Sequence, residues 1–201
     1  MSTPKHRTAP RSSYFVTAKC WNGRRVFQVR EAAQVFVQTL LHYRDGSAYL
    51  LHEFVLMPDH FHLLITPGAS TSLEKAVQLI KGGSSRRIQK STPAMAIWQE
   101  GFYDWTIRDP DDWNAKVHYI RMNPVRAKLV DKPADWPYSS ASNRFTTDPV
   151  PHKYLDASSG AKAPVAPRQT AGLKPRPPEK ISRSTPTERM DHPHFDREHK
   201  V

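Results

Sequence analysis

The sequence predicts an α+β domain with a ferredoxin-like, split β-α-β sheet: four antiparallel strands with helices on one face, plus a C-terminal helix. Three observations predict it. Hydrophobic patterns of strand and helix type follow one another as β-α-β-β-α-β-α between residues 13 and 145. Only Pro58-Asp59 separates the second and third strand patterns, which reads as a tight antiparallel hairpin. Asp109-Pro110-Asp111-Asp112, after the fourth strand pattern, is a clear helix start.

Residues 1–12 carry Lys5, Arg7 and Arg11 among Pro, Ser and Thr, and read as a disordered basic arm. Tyr14 to Lys19 is rich in aromatic and β-branched residues, as a strand is, and Asn22-Gly23 marks a turn. Over residues 30–43, Ala33, Val37, Leu40 and Leu41 recur at helical spacing, and Asp45-Gly46-Ser47 ends that helix. Strands are expected over residues 48–57 and 60–66, the latter stopped by Pro67-Gly68. Ser72 is suited to cap a second helix over residues 73–89, which Gly82-Gly83 is expected to interrupt. Residues 97–107, with Trp98, Phe102, Tyr103, Trp105 and Ile107, read as an aromatic fourth strand bent at Glu100-Gly101. In the last helix Asp109 caps, Pro110 takes the first position, and acids follow where the helix dipole favours them. It should run from Pro110 to at least Met122 with Trp113, Val117 and Ile120 facing the core, and end or kink at Pro124, with Val125 to Val130 able to continue as another short turn.

Composition sets the class of partner. The chain has 201 residues with 30 Lys plus Arg against 19 Asp plus Glu, a net charge of +11, which implies a polyanion such as nucleic acid. A single cysteine excludes an intramolecular disulfide, and no apolar run approaches the roughly 20 residues that span a bilayer. The N-terminus has no apolar h-region, so the expected setting is cytoplasmic. Half of the 18 prolines fall at or beyond Pro149, and residues 146–201 read as a Pro-rich, basic, mostly disordered tail.

The candidate chemistry starts from His60 and His62. Side chains alternate across a strand, so the two imidazoles share one face while Phe61, Leu63 and Ile65 take the other. Two adjacent imidazoles make half of a divalent-metal site. On the last helix Tyr119 shares its side with Lys116 at i−3 and Asn123 at i+4, which offers a nucleophile and an oxygen ligand one turn apart.

Two stretches together, Met57-Pro58-Asp59-His60-Phe61-His62-Leu63-Leu64 and Tyr119-Ile120-Arg121-Met122-Asn123-Pro124-Val125-Arg126-Ala127-Lys128-Leu129-Val130, resemble the single-tyrosine HUH transposases. Trp98 to Trp105 with Arg108-Asp109 resembles the segment before the tyrosine helix in one branch, the REP-associated tyrosine transposases. The resemblance covers roughly residues 12 to 140. It implies a bacterial, nucleoid-associated enzyme that cleaves and rejoins single-stranded or hairpin DNA at palindromic REP repeats, as a monomer or homodimer. It implies that His60, His62 and Asn123 hold Mg²⁺ or Mn²⁺ and that Tyr119 forms a 5′-phosphotyrosine. Lys81, Arg86, Arg87, Arg108 and Lys116 then become candidates for tracking phosphates. The competing reading is a non-catalytic module that binds single-stranded nucleic acid on a ferredoxin-like sheet. Such a module has no need of the histidine pair or the tyrosine.

Overall fold

Four strands, β1 (Tyr14–Lys19), β2 (Tyr49–Leu56), β3 (His60–Pro67) and β4 (Tyr103–Thr106), pair antiparallel in the order β2-β3-β1-β4. The computed structural model describes residues 12–89 and 96–155. With α1 (Arg30–Asp45), α2 (Leu73–Ile88) and α3 (Pro110–Arg126), the element order and sheet order are those of the split β-α-β unit with one added helix. The expected arm, except Ser12, and everything past Leu155 lie outside the described residues.

Alternation on the strands builds two cores. Tyr14, Val16 and Ala18 of β1 and Phe61, Leu63 and Ile65 of β3 face α1 and α2, where they meet Phe36, Leu40, Val77 and Ile80. Phe15 of β1, Val55 of β2 and Leu64 of β3 face the other way and meet Trp113 and Ile120 of α3, with Ile107 and Tyr154. The helix stripe therefore packs as its spacing requires, and α3 covers only part of its face of the sheet.

A register shift in the β2–β3 pairing inserts His52 between Leu51 and Glu53. This bulge lets Leu51 and Phe54, three residues apart, both enter the α1/α2 core. It also sends His52 and Glu53 toward α3, where His52 packs edge-on to Trp113 and Glu53 receives Arg121. Ser140 donates to the other oxygen of Glu53 at 2.5 Å, so this buried carboxylate is paired on both sides.

Four expectations need correction. Gly82-Gly83 does not interrupt α2, which is helical from Leu73 to Ile88. The expected fourth strand is two pieces: Trp98 bridges Cys20, the chain turns at Gly101 (φ +69°), and β4 begins only at Tyr103. Lys81 Nζ holds that turn by donating to Gln99 O at 2.8 Å and Gly101 O at 2.5 Å. Helix α3 passes through Pro124 to Arg126 and ends in a Schellman turn: Lys128 N donates to Val125 O, Leu129 N donates to Pro124 O, and Lys128 has φ +56°. Finally, the folded domain extends past residue 145. Asp148 accepts from Leu51 N at 2.7 Å, and Tyr154 stacks on Trp113 and donates to Ile107 O at 3.0 Å.

Candidate active site

The sheet face left uncovered by α3 carries a grid set by register. Lys19 lies opposite His60, Thr17 opposite His62, and Phe15 opposite Leu64. On the other side of β1, Tyr103 lies opposite Thr17 and Trp105 opposite Phe15. All of these β1 and β4 residues thus share the histidines' face.

The turn before His60 is pinned by backbone. Cys20 N donates to Asp59 O at 2.7 Å and Phe27 N donates to Pro58 O at 2.9 Å. Asp59 Oδ1 lies 2.6 Å from His60 Nδ1; a carboxylate accepts, so a ring proton sits on Nδ1 and the hydrogen bond leaves Nε2 facing away from Asp59. His62 Nδ1 is hydrogen-bonded to Thr17 Oγ1 at 2.7 Å. Its Nε2 is buried without a hydrogen-bond partner. Burial, with the charges of His60, Lys19 and Lys116, pushes the His62 imidazole down to about 3, so it is neutral at physiological pH.

Helix α3 lays Tyr119 across this grid. Its ring meets His62 at 5.1 Å and Phe15 at 5.7 Å, both edge-on, and the residue remains 36% exposed. Arg126, two turns on, lies 5.6 Å from the face of the ring. A cavity of about 610 Å³ opens here, lined by Tyr119, Asn123, His60, His62, Asp59, Thr17, Lys19, Phe15 and Tyr103. Asn123 stays helical despite preceding Pro124, and so lines this cavity one turn beyond Tyr119.

The chemistry of this donor set suits a divalent cation. A neutral imidazole with an unpartnered buried Nε2, and a second with Nδ1 engaged by a carboxylate, are the states in which histidine ligates. Among the described residues no three His, Cys, Asp or Glu side chains cluster as a metal site. The Asn123 amide is one of the oxygen-bearing side chains that line the same cavity.

Residues 12–123, more than half of the chain, match the family described as "Transposase IS200 like". The chain belongs to that family. Among its relatives, a Haemophilus influenzae protein assigned to the REP-associated tyrosine transposases is 28% identical over 123 residues, 56% of this chain and 68% of the relative. The REP-associated tyrosine transposase of Escherichia coli K12 is 25% identical over 108 residues, 53% of this chain but only 63% of its own length. The solved structure of a REP-associated tyrosine transposase bound to a REP hairpin shares the fold, with TM-score 0.60 and 22% identity, covering 82% of this chain and 100% of that one.

Within this IS200-like frame the expected site residues separate into two groups. His60, His62, Tyr119 and Asn123 come together in one cavity. Lys116 stands at its edge, its Nζ 4.8 Å from the Phe15 ring and 5.0 Å from that of Trp105. Arg108 is further out, forked onto Asp112 at 2.6 and 3.0 Å. The α2 cations are elsewhere, because α2 packs on the opposite face of the sheet. There Lys81 holds the Gln99 and Gly101 carbonyls, Arg87 donates to Thr39 and Gln38, and Arg86 is exposed. The sequence reading missed Thr17, Asp59, Lys19 and Tyr103. Asp59 was legible as the neighbour of His60, whereas the others need the register of strands far apart in the chain.

Proposed function

We propose that this chain cleaves and rejoins one DNA strand at REP-type palindromic hairpins, with Tyr119 as nucleophile and a divalent cation, Mg²⁺ or Mn²⁺, held by His60, His62 and Asn123. The observation that carries this reading is the edge-on approach of Tyr119 to His62, whose Nε2 is buried and unpartnered in the same cavity. The names of the relatives and of the hairpin-bound structure support the choice of substrate. The bound cation would polarise the scissile phosphate and offset the charge that develops on its oxygens.

The protein residues have these tasks. The Tyr119 phenolic oxygen gives up its proton and attacks phosphorus, and the bond from phosphorus to the 3′-oxygen breaks. That oxygen takes up a proton and leaves as a 3′-hydroxyl, while the phosphate stays on Tyr119 as a 5′-phosphotyrosine. Attack by a 3′-hydroxyl reverses the step and restores a phosphodiester with no external energy source. Phe15 and His62 hold the Tyr119 ring from two sides, which limits the positions its oxygen can take. Lys116 and Lys19 add positive charge at the edge of the cavity, where the DNA backbone would enter.

The test is a covalent adduct between the protein and a single-stranded oligonucleotide carrying a REP-type hairpin from beside its own gene, read on a denaturing gel with Mn²⁺ present. Adduct is expected with the wild-type chain and none with Tyr119→Phe or after chelation. A wild-type chain that makes no adduct, yet binds the strand equally well with EDTA and with both histidines replaced by alanine, is the non-catalytic binding module instead.

A further inference from the structure

Tyr103 and Trp105 belong to neither core, yet they are large aromatic residues on one face of a strand beside the site. Tyr103 is 54% exposed and lines the cavity of His60, His62 and Tyr119, while Trp105 is 37% exposed. Two residues apart on β4, they stand about 7 Å from each other along the strand. The core does not require either ring there, so the pattern is not accounted for by packing.

Trp105 is also held in place. Its Nε1 donates to Asp112 Oδ2 at 3.4 Å, and the same carboxylate is forked by Arg108, whose guanidinium lies 5.2 Å from the indole. Lys116 Nζ lies between the Trp105 and Phe15 rings, partly withdrawn from water. The strip thus combines the exposed Tyr103 ring and the held Trp105 ring with the Lys116 ammonium beside them. Ring faces beside positive charge are what unpaired nucleotides bind: bases stack on the rings and phosphates meet the cations.

We infer that β4 is a stacking strip for single-stranded DNA: Tyr103 stacks an unpaired nucleobase adjoining the phosphate that Tyr119 attacks, and Trp105 with Lys116 receives the next nucleotide. This rests on the proposed cleavage reading for the position of that phosphate. Tyr103 is here a positioning residue, since its contact is with a base and not with the reacting atoms. Asp104 faces away from the strip by strand alternation, so the carboxylate between the two rings in sequence is not between them in space.

The test uses the full chain with Tyr119→Phe, so that DNA stays intact, and a hairpin oligonucleotide with a single-stranded flank. Abasic sites are placed one at a time along the flank and affinity is read by fluorescence anisotropy. One or two positions should weaken binding roughly 5- to 100-fold, the range for loss of one base–aromatic stack. In Tyr103→Ala the same abasic site should have little further effect, and Tyr103→Phe should restore the sensitivity. Trp105→Ala should behave likewise at the neighbouring position. Abasic and alanine effects that simply multiply, or a Tyr103→Phe chain that behaves as Tyr103→Ala, would overturn the strip. Adduct formation by the wild-type chain is scored separately: coupling without adduct keeps the strip and removes the cleavage reading, whereas adduct without coupling does the reverse.

Discussion

At the scale of single residues, the site is organised by which nitrogen of each histidine is occupied. His62 can offer Nε2 only if its proton stays on Nδ1, and the group hydrogen-bonded to Nδ1 is the Thr17 hydroxyl at 2.7 Å. Thr17→Val keeps the shape of the side chain and removes that acceptor. Loss of such an orienting partner typically lowers metal affinity by roughly 10- to 100-fold. The Mn²⁺ concentration for half-maximal adduct formation should rise by about that factor, while DNA affinity measured without a divalent cation stays as it was. An unchanged Mn²⁺ dependence would mean that Thr17 only fills space. His60, His62 and Tyr119 were legible in the sequence because strand and helix periodicity are local and the residue types are rare on such faces. Thr17 was not, since its role exists only once β1 and β3 are in register across 45 residues.

At the scale of elements, the same local periodicities gave correct types and misplaced interruptions. Gly82-Gly83 read as a break because each glycine weakens a helix, yet α2 runs through both. The two glycines differ in what surrounds them. A Cβ on Gly83 would come within 2.8 Å of Tyr43 Cε2 and 3.0 Å of Thr39 Cγ2, so this glycine is where α1 and α2 approach closely. A Cβ on Gly82 would meet nothing within 4 Å. Gly83→Ala should therefore destabilise by about 1–3 kcal/mol, as overpacking does, whereas Gly82→Ala should stabilise by roughly 0.5–1 kcal/mol through helix propensity. Midpoints of urea unfolding for the two variants should move in opposite directions; movement in the same direction would contradict the packing account. Pro124 misleads for a related reason. Proline removes one N–H, but at this position the helix is within its final turn, and the Schellman bonds from Lys128 and Leu129 close the end without it. The last turn therefore survives, and Asn123 stays one turn from Tyr119.

At the scale of the whole molecule, the sheet order and the two-sided core followed from the sequence, while the end of the domain did not. Composition turns proline-rich near residue 145, and that shift hides a short segment tied back by a few specific bonds. Asp148 is the main tie: its carboxylate receives Arg44 of α1 through Nε and Nη2, both at 2.9 Å, and Leu51 N of β2 at 2.7 Å. Burial alone would raise this carboxyl, but the Arg44 fork, the Leu51 N–H and the nearby charges outweigh it and hold it below the ordinary carboxylate range. A carboxylate whose pKa is lower in the folded chain than in the unfolded one stabilises the fold above the unfolded value, and loses that contribution as pH falls through it toward the folded value. His52, whose pKa burial lowers, faces Asp148 through its backbone carbonyl and also feels the Asp148 charge, so its protonation on acidification destabilises a chain without that charge somewhat more than the wild type. The informative quantity is the stability difference between wild type and Asp148→Asn, measured by denaturant unfolding across pH. It should be about 1–3 kcal/mol near neutral pH, the range for hydrogen bonds to a charged group, and should shrink below about pH 4 as the carboxylate is titrated. A difference that stays constant into acid would mean that shape and neutral hydrogen bonding, not the charge on Asp148, fasten this segment to the domain.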